Sequence, residues 1–252
     1  MPPDIFADWL AALEERHLAD LRVPEVTRAL RALSSAYVER RHKLASGAAL
    51  DSRGKRAAFA LYYAPLHFLV TRHVATELGA DDAAPRHIVD LGCGTGAAGA
   101  AWAMAAERAP RITGIDRHPW AVEEARWTYH QLRVDGTARQ GDAARPRLPR
   151  GPVGVVAAYL LNELPEDARE GLAATLLNAA RSGARVLILE PIARAVAPWW
   201  DALARRAAAV GGRADEWTIG LDLPPLLARF DTAAGLDHRQ VKARSLYLSG
   251  RT

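Results

Sequence analysis

The stretch His87-Ile-Val-Asp-Leu-Gly-Cys-Gly-Thr-Gly96 constrains this chain more than any other part of it. A short apolar run ends in an acid, three alternating glycines follow (Gly92, Gly94, Gly96), and an alanine-rich segment comes next. That order reads as strand, tight loop and helix. Glycine in such a loop takes positive φ freely, and without a Cβ it lets a ligand approach bare backbone. The helix that follows offers unpaired N–H groups to a polar or anionic part of the ligand. The loop is therefore expected to hold a nucleotide cofactor.

Two cofactors fit the glycines. Gly92-Cys-Gly-Thr-Gly-Ala97 matches the relaxed dinucleotide fingerprint G-x-G-x-x-G/A, with Asp116 about 20 residues on to bind ribose hydroxyls. Asp90, ahead of the first glycine, extends the pattern to D-L-G-C-G-T-G. This fuller pattern resembles motif I of the class I S-adenosylmethionine (SAM)-dependent methyltransferases, and the later segments follow in that family's order. A purely structural glycine turn explains neither acid. The resemblance runs from about Arg86 to the C-terminus. It implies a Rossmann-like α/β fold, with a seven-stranded, mostly parallel sheet flanked by helices.

The rest of the composition sets outer limits. A chain of 252 residues, half of them apolar, is long enough for one α/β domain plus an appendage. The N-terminus lacks a basic and apolar leader, and no apolar run approaches the ~18 residues that span a bilayer, so a cytoplasmic protein without a membrane partner is expected. A single cysteine, Cys93, excludes an internal disulfide and a multi-cysteine metal site, and no metal is expected. The net charge of +4 is almost all arginine, with lysine only at 43, 55 and 242. Basic charge gathers at Arg40, Arg41, His42, Lys43, Arg53, Lys55 and Arg56, either as a solvated face or as a patch for RNA.

Residues 1–79 read as a helical appendage. Phe6, Leu10, Leu13 and Leu21 mark one short helix; Val26, Leu30, Leu33 and Tyr37 mark a second, with Pro24 in its first turn. A third segment carries Phe59, Tyr62, Leu66, Leu69 and His73 on one stripe, with Pro65 expected to kink it. Tyr62, Tyr63 and His67 read first as packing residues, because aromatics at helical spacing usually are. Gly79-Ala-Asp-Asp-Ala-Ala-Pro85 is rich in turn formers and marks the boundary with a cofactor-binding domain over 80–252. The appendage is expected to pack beside the cofactor mouth and to help form the acceptor pocket.

Within that domain, Asp116 ends the predicted second strand, Ile112–Asp116, where a carboxylate accepts paired ribose hydroxyls. Capping the next helix is the plainer role for it. Arg117 and Trp120 stand beside it as candidates to flank the adenine. Gln140-Gly-Asp-Ala143 matches the place where the family sets an acid against the adenine amino group. The resemblance thus assigns the cofactor to Asp90, Gly92, Cys93, Gly94, Gly96, Asp116, Arg117, Asp142, Ala143 and Tyr159. Cys93 reads as a small filler rather than a nucleophile.

Val153–Tyr159 is an apolar run suited to a buried fourth strand, followed by Leu160-Leu-Asn-Glu-Leu-Pro165. Ligands of open α/β sheets sit beyond the carboxyl ends of the strands, which puts Tyr159, Asn162 and Glu163 near the transferred methyl. Methyl transfer from a sulfonium is an in-line displacement, so alignment matters most and deprotonation of the acceptor is optional. Tyr159 is a candidate to face the sulfonium or stack on the acceptor, Asn162 to orient it, and Glu163 to take its proton. Alternatively, Asn162 and Glu163 cap the helix that starts at Pro165. The Asn/Asp-Pro-Pro-Tyr pattern of enzymes that methylate amino groups in nucleic acids is absent.

Further along, Val186–Leu189 reads as a fifth strand ending in Glu190-Pro191. Pro198 opens a helix that Gly211-Gly212 closes, and Val241–Leu248 alternates into a last strand, expected in an antiparallel edge hairpin. A narrower resemblance rests on the aromatic segment Phe59 to Leu78, on Gly96-Ala-Ala-Gly-Ala-Ala-Trp102 and on Ala158-Tyr-Leu-Leu-Asn-Glu-Leu-Pro165. These are similar to the methyltransferase-like factors that assist assembly of the small ribosomal subunit. Members of that family carry a four-cysteine cluster, and this chain has Cys93 alone. The acceptor is thus expected to be either a small molecule or the RNA of a ribosomal subunit.

Overall fold

Strand β1 (His87–Leu91) is an interior strand, third in the order of a seven-stranded sheet. The computed structural model describes residues 4–39, 50–80, 85–149, 151–192, 197–236 and 239–250. β1 pairs in parallel with β2 (Arg111–Asp116) on one side and β4 (Gly154–Ala158) on the other. β3 (Gly136–Gln140) extends the sheet beyond β2, and β5 (Arg185–Pro191) extends it beyond β4, both in parallel. β7 (Gln240–Leu248) then runs antiparallel between β5 and β6 (Arg213–Gly220), giving the order β3-β2-β1-β4-β5-β7-β6. The last strand thus belongs to the expected antiparallel edge hairpin, as its inner member. The edge belongs to β6, whose Arg213, Asp215 and Glu216 hid it from a reading based on apolar pattern; charge on an edge strand discourages pairing with other chains.

Side chains alternate between the sheet's two faces, so the central strands are apolar on both. Ile88, Val156, Leu187 and Leu189 join one core, while Val89, Val155, Val186 and Ile188 join the other. The second core is closed by α7 (Glu166–Arg181) and α8 (Trp200–Ala208). The first is closed by α5 (Ala97–Ala105), α6 (Pro119–Gln131) and α9 (Pro225–Ala234), together with the N-terminal helices α1 (Ile5–Leu18) and α2 (Val23–Glu39). Trp9, Leu13, Leu30 and Leu33 are buried there, in the same cluster as Ile88 of β1. Glu124 of α6 is buried and takes Arg16 at 3.2 Å and His17 at 2.7 Å, which fixes α1 to α6.

The third N-terminal segment is one helical run in three parts. α3 (Arg53–Ala58) is capped by the Ser52 side chain, which accepts from Lys55 N at 3.3 Å. A π-helical turn, Phe59–Tyr63, follows, and then α4 (Ala64–Glu77), with Pro65 in its first turn. Proline lacks an N–H and its ring crowds the carbonyl four residues back. The wider π turn meets that need, with the Ala64 N–H reaching the Phe59 carbonyl five residues before it. The inserted residue also rotates α4 relative to α3, so the expected stripe holds only in part: Tyr62 and Leu66 are buried and Phe59 and Leu69 pack against the core, but Leu61, Phe68, Val70 and Val74 are buried as well and His73 is exposed. Residues 81–84 of the expected boundary, and Arg40, Arg41, His42 and Lys43, lie outside the described residues. Among the described residues no helix is long and apolar enough to cross a membrane.

Candidate active site

The site forms where β1, β2, β4 and β5 end together. The loop after β1 turns through Gly92, Gly94 and Gly96, with φ of 63°, 50° and 82°. A Cβ at Gly92 would stand 2.7 Å from Leu160, and one at Gly96 would stand 2.6 Å from the buried Tyr129 ring. Backbone conformation and space therefore both demand glycine at these two positions. Asp116, at the end of β2, holds the loop: Oδ2 accepts from Gly94 N at 2.9 Å and Oδ1 accepts from His118 N at 2.8 Å. Each oxygen keeps a lone pair for a further donor. α6 begins just beyond, its first N–H groups uncapped by any side chain among the described residues.

Asp90 lies beneath the loop, 1% exposed, its Oδ2 accepting from Gly99 N at 2.9 Å. Burial pushes its carboxyl up to about 7 against the pull of the Gly99 N–H, and neighbouring Asp116 adds to the rise. Cys93 is buried, and burial pushes its thiol up, which keeps it protonated and unreactive. Asp142 is exposed at the rim, its Oδ1 accepting from Ala144 N at 2.9 Å in a tight turn, and Ala143 beside it is buried. Arg117 lines the same cavity from its exposed edge. Trp120 faces away, between His17, Arg56 and His118, and serves packing.

On the other side, Tyr159 follows β4 directly with φ of 59°, the left-handed region that a non-glycine residue enters at a cost. Its N–H bonds to Leu189 O at 2.7 Å, and its ring lies stacked on His67. Asn162 and Glu163 belong to a 3₁₀ turn, Leu161–Glu163, and both line the cavity. They do not cap the next helix: α7 starts at Glu166 after Pro165, without a side-chain cap among the described residues. Asn162 instead donates its side-chain amide to Glu190, at the end of β5. Burial pushes the Glu190 carboxyl up to about 8, with the Leu161 and Asn162 N–H groups and Arg244 pulling it back.

Phe59, Tyr63, Leu66 and His67 close the cavity from the N-terminal side. Burial lowers His67 to about 3, so its imidazole is neutral, and raises the Tyr63 phenol to about 12. The space between these walls and the glycine loop has a volume of about 490 Å³, the size of a small-molecule site. Every residue assigned to the cofactor or the methyl from sequence lines it except Gly96, which shapes the turn from below. Sequence reasoning missed Glu190, although its signal was present: like Asp90 and Asp116 it is an acid ending an apolar strand. Among the described residues no group of His, Cys, Asp and Glu is placed to hold a metal ion.

Residues 88–183 match the family described as "Methyltransferase domain". No curated protein sequence matches the chain. Among solved structures it is similar to the plantazolicin methyltransferase BamL in complex with a substrate analogue and SAH, at a TM-score of 0.51 and 10% identity over 91% of this chain and 98% of that one. It is similar also to the [4+2]-cyclase SpnF, at 0.51 and 17% over 73% and 82%. A magnesium protoporphyrin IX methyltransferase from Synechocystis PCC 6803 with bound SAM matches at 0.46 and 17% over 73% and 80%. Identities this low show the shared fold alone, and a cyclase on that fold illustrates why chemistry must be argued from the site. Domain match and topology agree: residues 88–183 match a methyltransferase domain, set in the seven-stranded fold that these structures share.

Proposed function

We propose that this SAM-dependent methyltransferase acts in the cytoplasm on a small, largely apolar acceptor with a planar ring, held beneath the N-terminal helices. One observation carries the reading: the glycine loop and a wall of aromatic rings face the same cavity. Asp116 takes the ribose hydroxyls with the lone pairs left by Gly94 and His118, Asp142 the adenine amino group, and Asp90 supports the loop from below. Gly92 and Gly94 let the methionine portion lie against backbone. SAM supplies the methyl on a sulfonium.

The protein's own part is alignment. Phe59, Tyr63 and the His67–Tyr159 stack confine a flat acceptor so that its nucleophile meets the methyl in line, and they exclude water from the path. Glu163, which lines the same cavity, is the group assigned to take the acceptor's proton. Residues 1–79 thereby form the acceptor-side cap of the domain over 80–252.

RNA is the competing acceptor. It draws on the basic run, of which Arg53 pairs with Asp20, Lys55 with Asp51, and Arg56 bonds Leu50 O. The test is SAH release from SAM, with pools of hydroxylated or aminated aromatic compounds set against small-subunit ribosomal RNA. Turnover with a compound pool and none with RNA is expected; turnover with RNA alone would transfer the proposal to an RNA-directed function.

A further inference from the structure

The N-terminal helices bring four polar side chains to the cavity wall: Ser34, Tyr62, Tyr63 and His67. Three of them are spent inside the protein, since Tyr62 donates its phenol to Asp231 of α9 and the Tyr63 phenol shares a hydrogen bond with Ser34. His67 differs. Neither nitrogen of its imidazole bonds a described residue, and neither is closed off, because His67 is half-buried and its accessible edge lines the cavity. Aromatic rings hold it in place: Tyr159 covers one face with ring centres 4.0 Å apart, and Phe59 and Tyr63 stand at 6.1 Å and 6.0 Å. They fix the plane of the imidazole without satisfying its nitrogens.

Burial keeps this imidazole neutral, so it presents one N–H donor and one bare nitrogen acceptor. A hydroxyl both donates and accepts, and therefore matches either nitrogen in either tautomer. A bare hydrocarbon ring would strip water from the nitrogens and return nothing, at a cost comparable to a lost hydrogen bond.

We infer that His67 is a specificity-determining residue that binds a hydroxyl on the ring of the methyl acceptor through an imidazole nitrogen, in a direction set by its stack on Tyr159. The inference rests on the reading of this cavity as the site of a small aromatic acceptor, and it names the polar group that acceptor must carry. A site built to hydrogen-bond a hydroxyl rejects the analogue that lacks it, which an apolar wall cannot do.

His67→Phe tests it, because it removes both nitrogens and keeps a ring for Tyr159 to stack on. The probes are 2-naphthol and naphthalene, which share a ring system and differ by the hydroxyl. Calorimetry measures both on the unaltered protein and the variant in excess SAH. The ratio of 2-naphthol to naphthalene affinity is expected to fall about tenfold in the variant, with naphthalene binding held. An unchanged ratio overturns the inference even where both affinities fall, since His67 would then serve as a ring alone. Binding of neither probe by the unaltered protein would sink the aromatic-acceptor reading, and the inference with it.

Should His67→Phe not fold, NMR of the unaltered protein decides. The imidazole nitrogen signals of His67 are expected to shift on addition of 2-naphthol and to stay in place with naphthalene; the same response to both overturns the inference.

Discussion

The imidazole of His67 lies flat against the phenol ring of Tyr159, ring centres 4.0 Å apart and planes 18° from parallel. One ring comes from α4 and the other from the residue directly after β4, so the stack ties the N-terminal helices to the strand ends that line the cavity. It also explains how Tyr159 keeps a φ of 59°: ring packing and the N–H bond to Leu189 O over-determine a strained backbone.

His67→Ala should therefore destabilise the fold by about 2 kcal/mol, from the lost aromatic pair and the cavity left behind. His67→Phe keeps a ring in place and should retain most of that stability. Urea denaturation of the two variants checks both; equal stability of His67→Ala and the unaltered protein would show that the stack holds nothing.

The three loop glycines should not respond alike to alanine. At Gly94 a Cβ finds ordinary contact with Phe59 at 3.5 Å, so Gly94→Ala should cost only the left-handed backbone, about 1–2 kcal/mol. At Gly96 the Cβ would meet the buried Tyr129 ring, which cannot move aside, and the loss should be larger. Thermal melts of the pair give the comparison, and a reversed order would contradict the loop geometry.

Much of this site was legible because its signals are local. Glycines spaced for a tight turn and acids that end apolar strands are read within a few residues, and Asp90, Asp116 and Asp142 all line the cavity. The acceptor side was less legible because it depends on distant contacts. Whether His67 reaches Tyr159 is set by the π turn at Phe59–Tyr63, a one-residue insertion that no periodic pattern announces. β6 escaped for a different reason: only Trp217 and Ile219 alternate inward from its far half, and Arg213, Asp215 and Glu216 dominate the near half.

Asp116→Ala removes the acceptor for two backbone N–H groups as well as for the ribose. Hydrogen bonds to a charged group contribute about 1.5–3 kcal/mol, so SAM affinity should fall on the order of tenfold to a hundredfold. Asp142→Ala, at the exposed rim, should weaken SAM less. Parallel titrations decide; unchanged affinity for Asp116→Ala would remove it from the cofactor site.

Buried carboxyls give the cofactor-free protein a defined pH response. Asp90 and Glu190 titrate at about 7 and about 8 in the folded chain, above their values near 4 when unfolded. The folded state then holds more protons, so this stability is full below about pH 4 and is lost as pH rises through 7 and 8. The groups facing Asp90 are Asp116 and the Gly99 N–H; those facing Glu190 are Glu163, Arg244 and the Leu161 and Asn162 N–H groups. His67 runs the other way: lowered to about 3, it withdraws stability only as pH falls below about 6.5. From pH 6.5 to 8 the fall from the carboxyls outweighs the small opposing rise from His67, His87 and His118, all lowered by burial, and stability should fall by about 1 kcal/mol or more. Glu190→Gln should flatten that fall, and denaturation at both pH values shows whether it does.

Calorimetric titration of the purified protein with SAM, with NAD as control, tests the central claim most directly. The account predicts micromolar SAM binding, about −8 kcal/mol, and none for NAD. Binding of NAD alone, or of neither, would contradict it, because the glycine loop, Asp116 and the aromatic wall would then have been assigned to the wrong ligand.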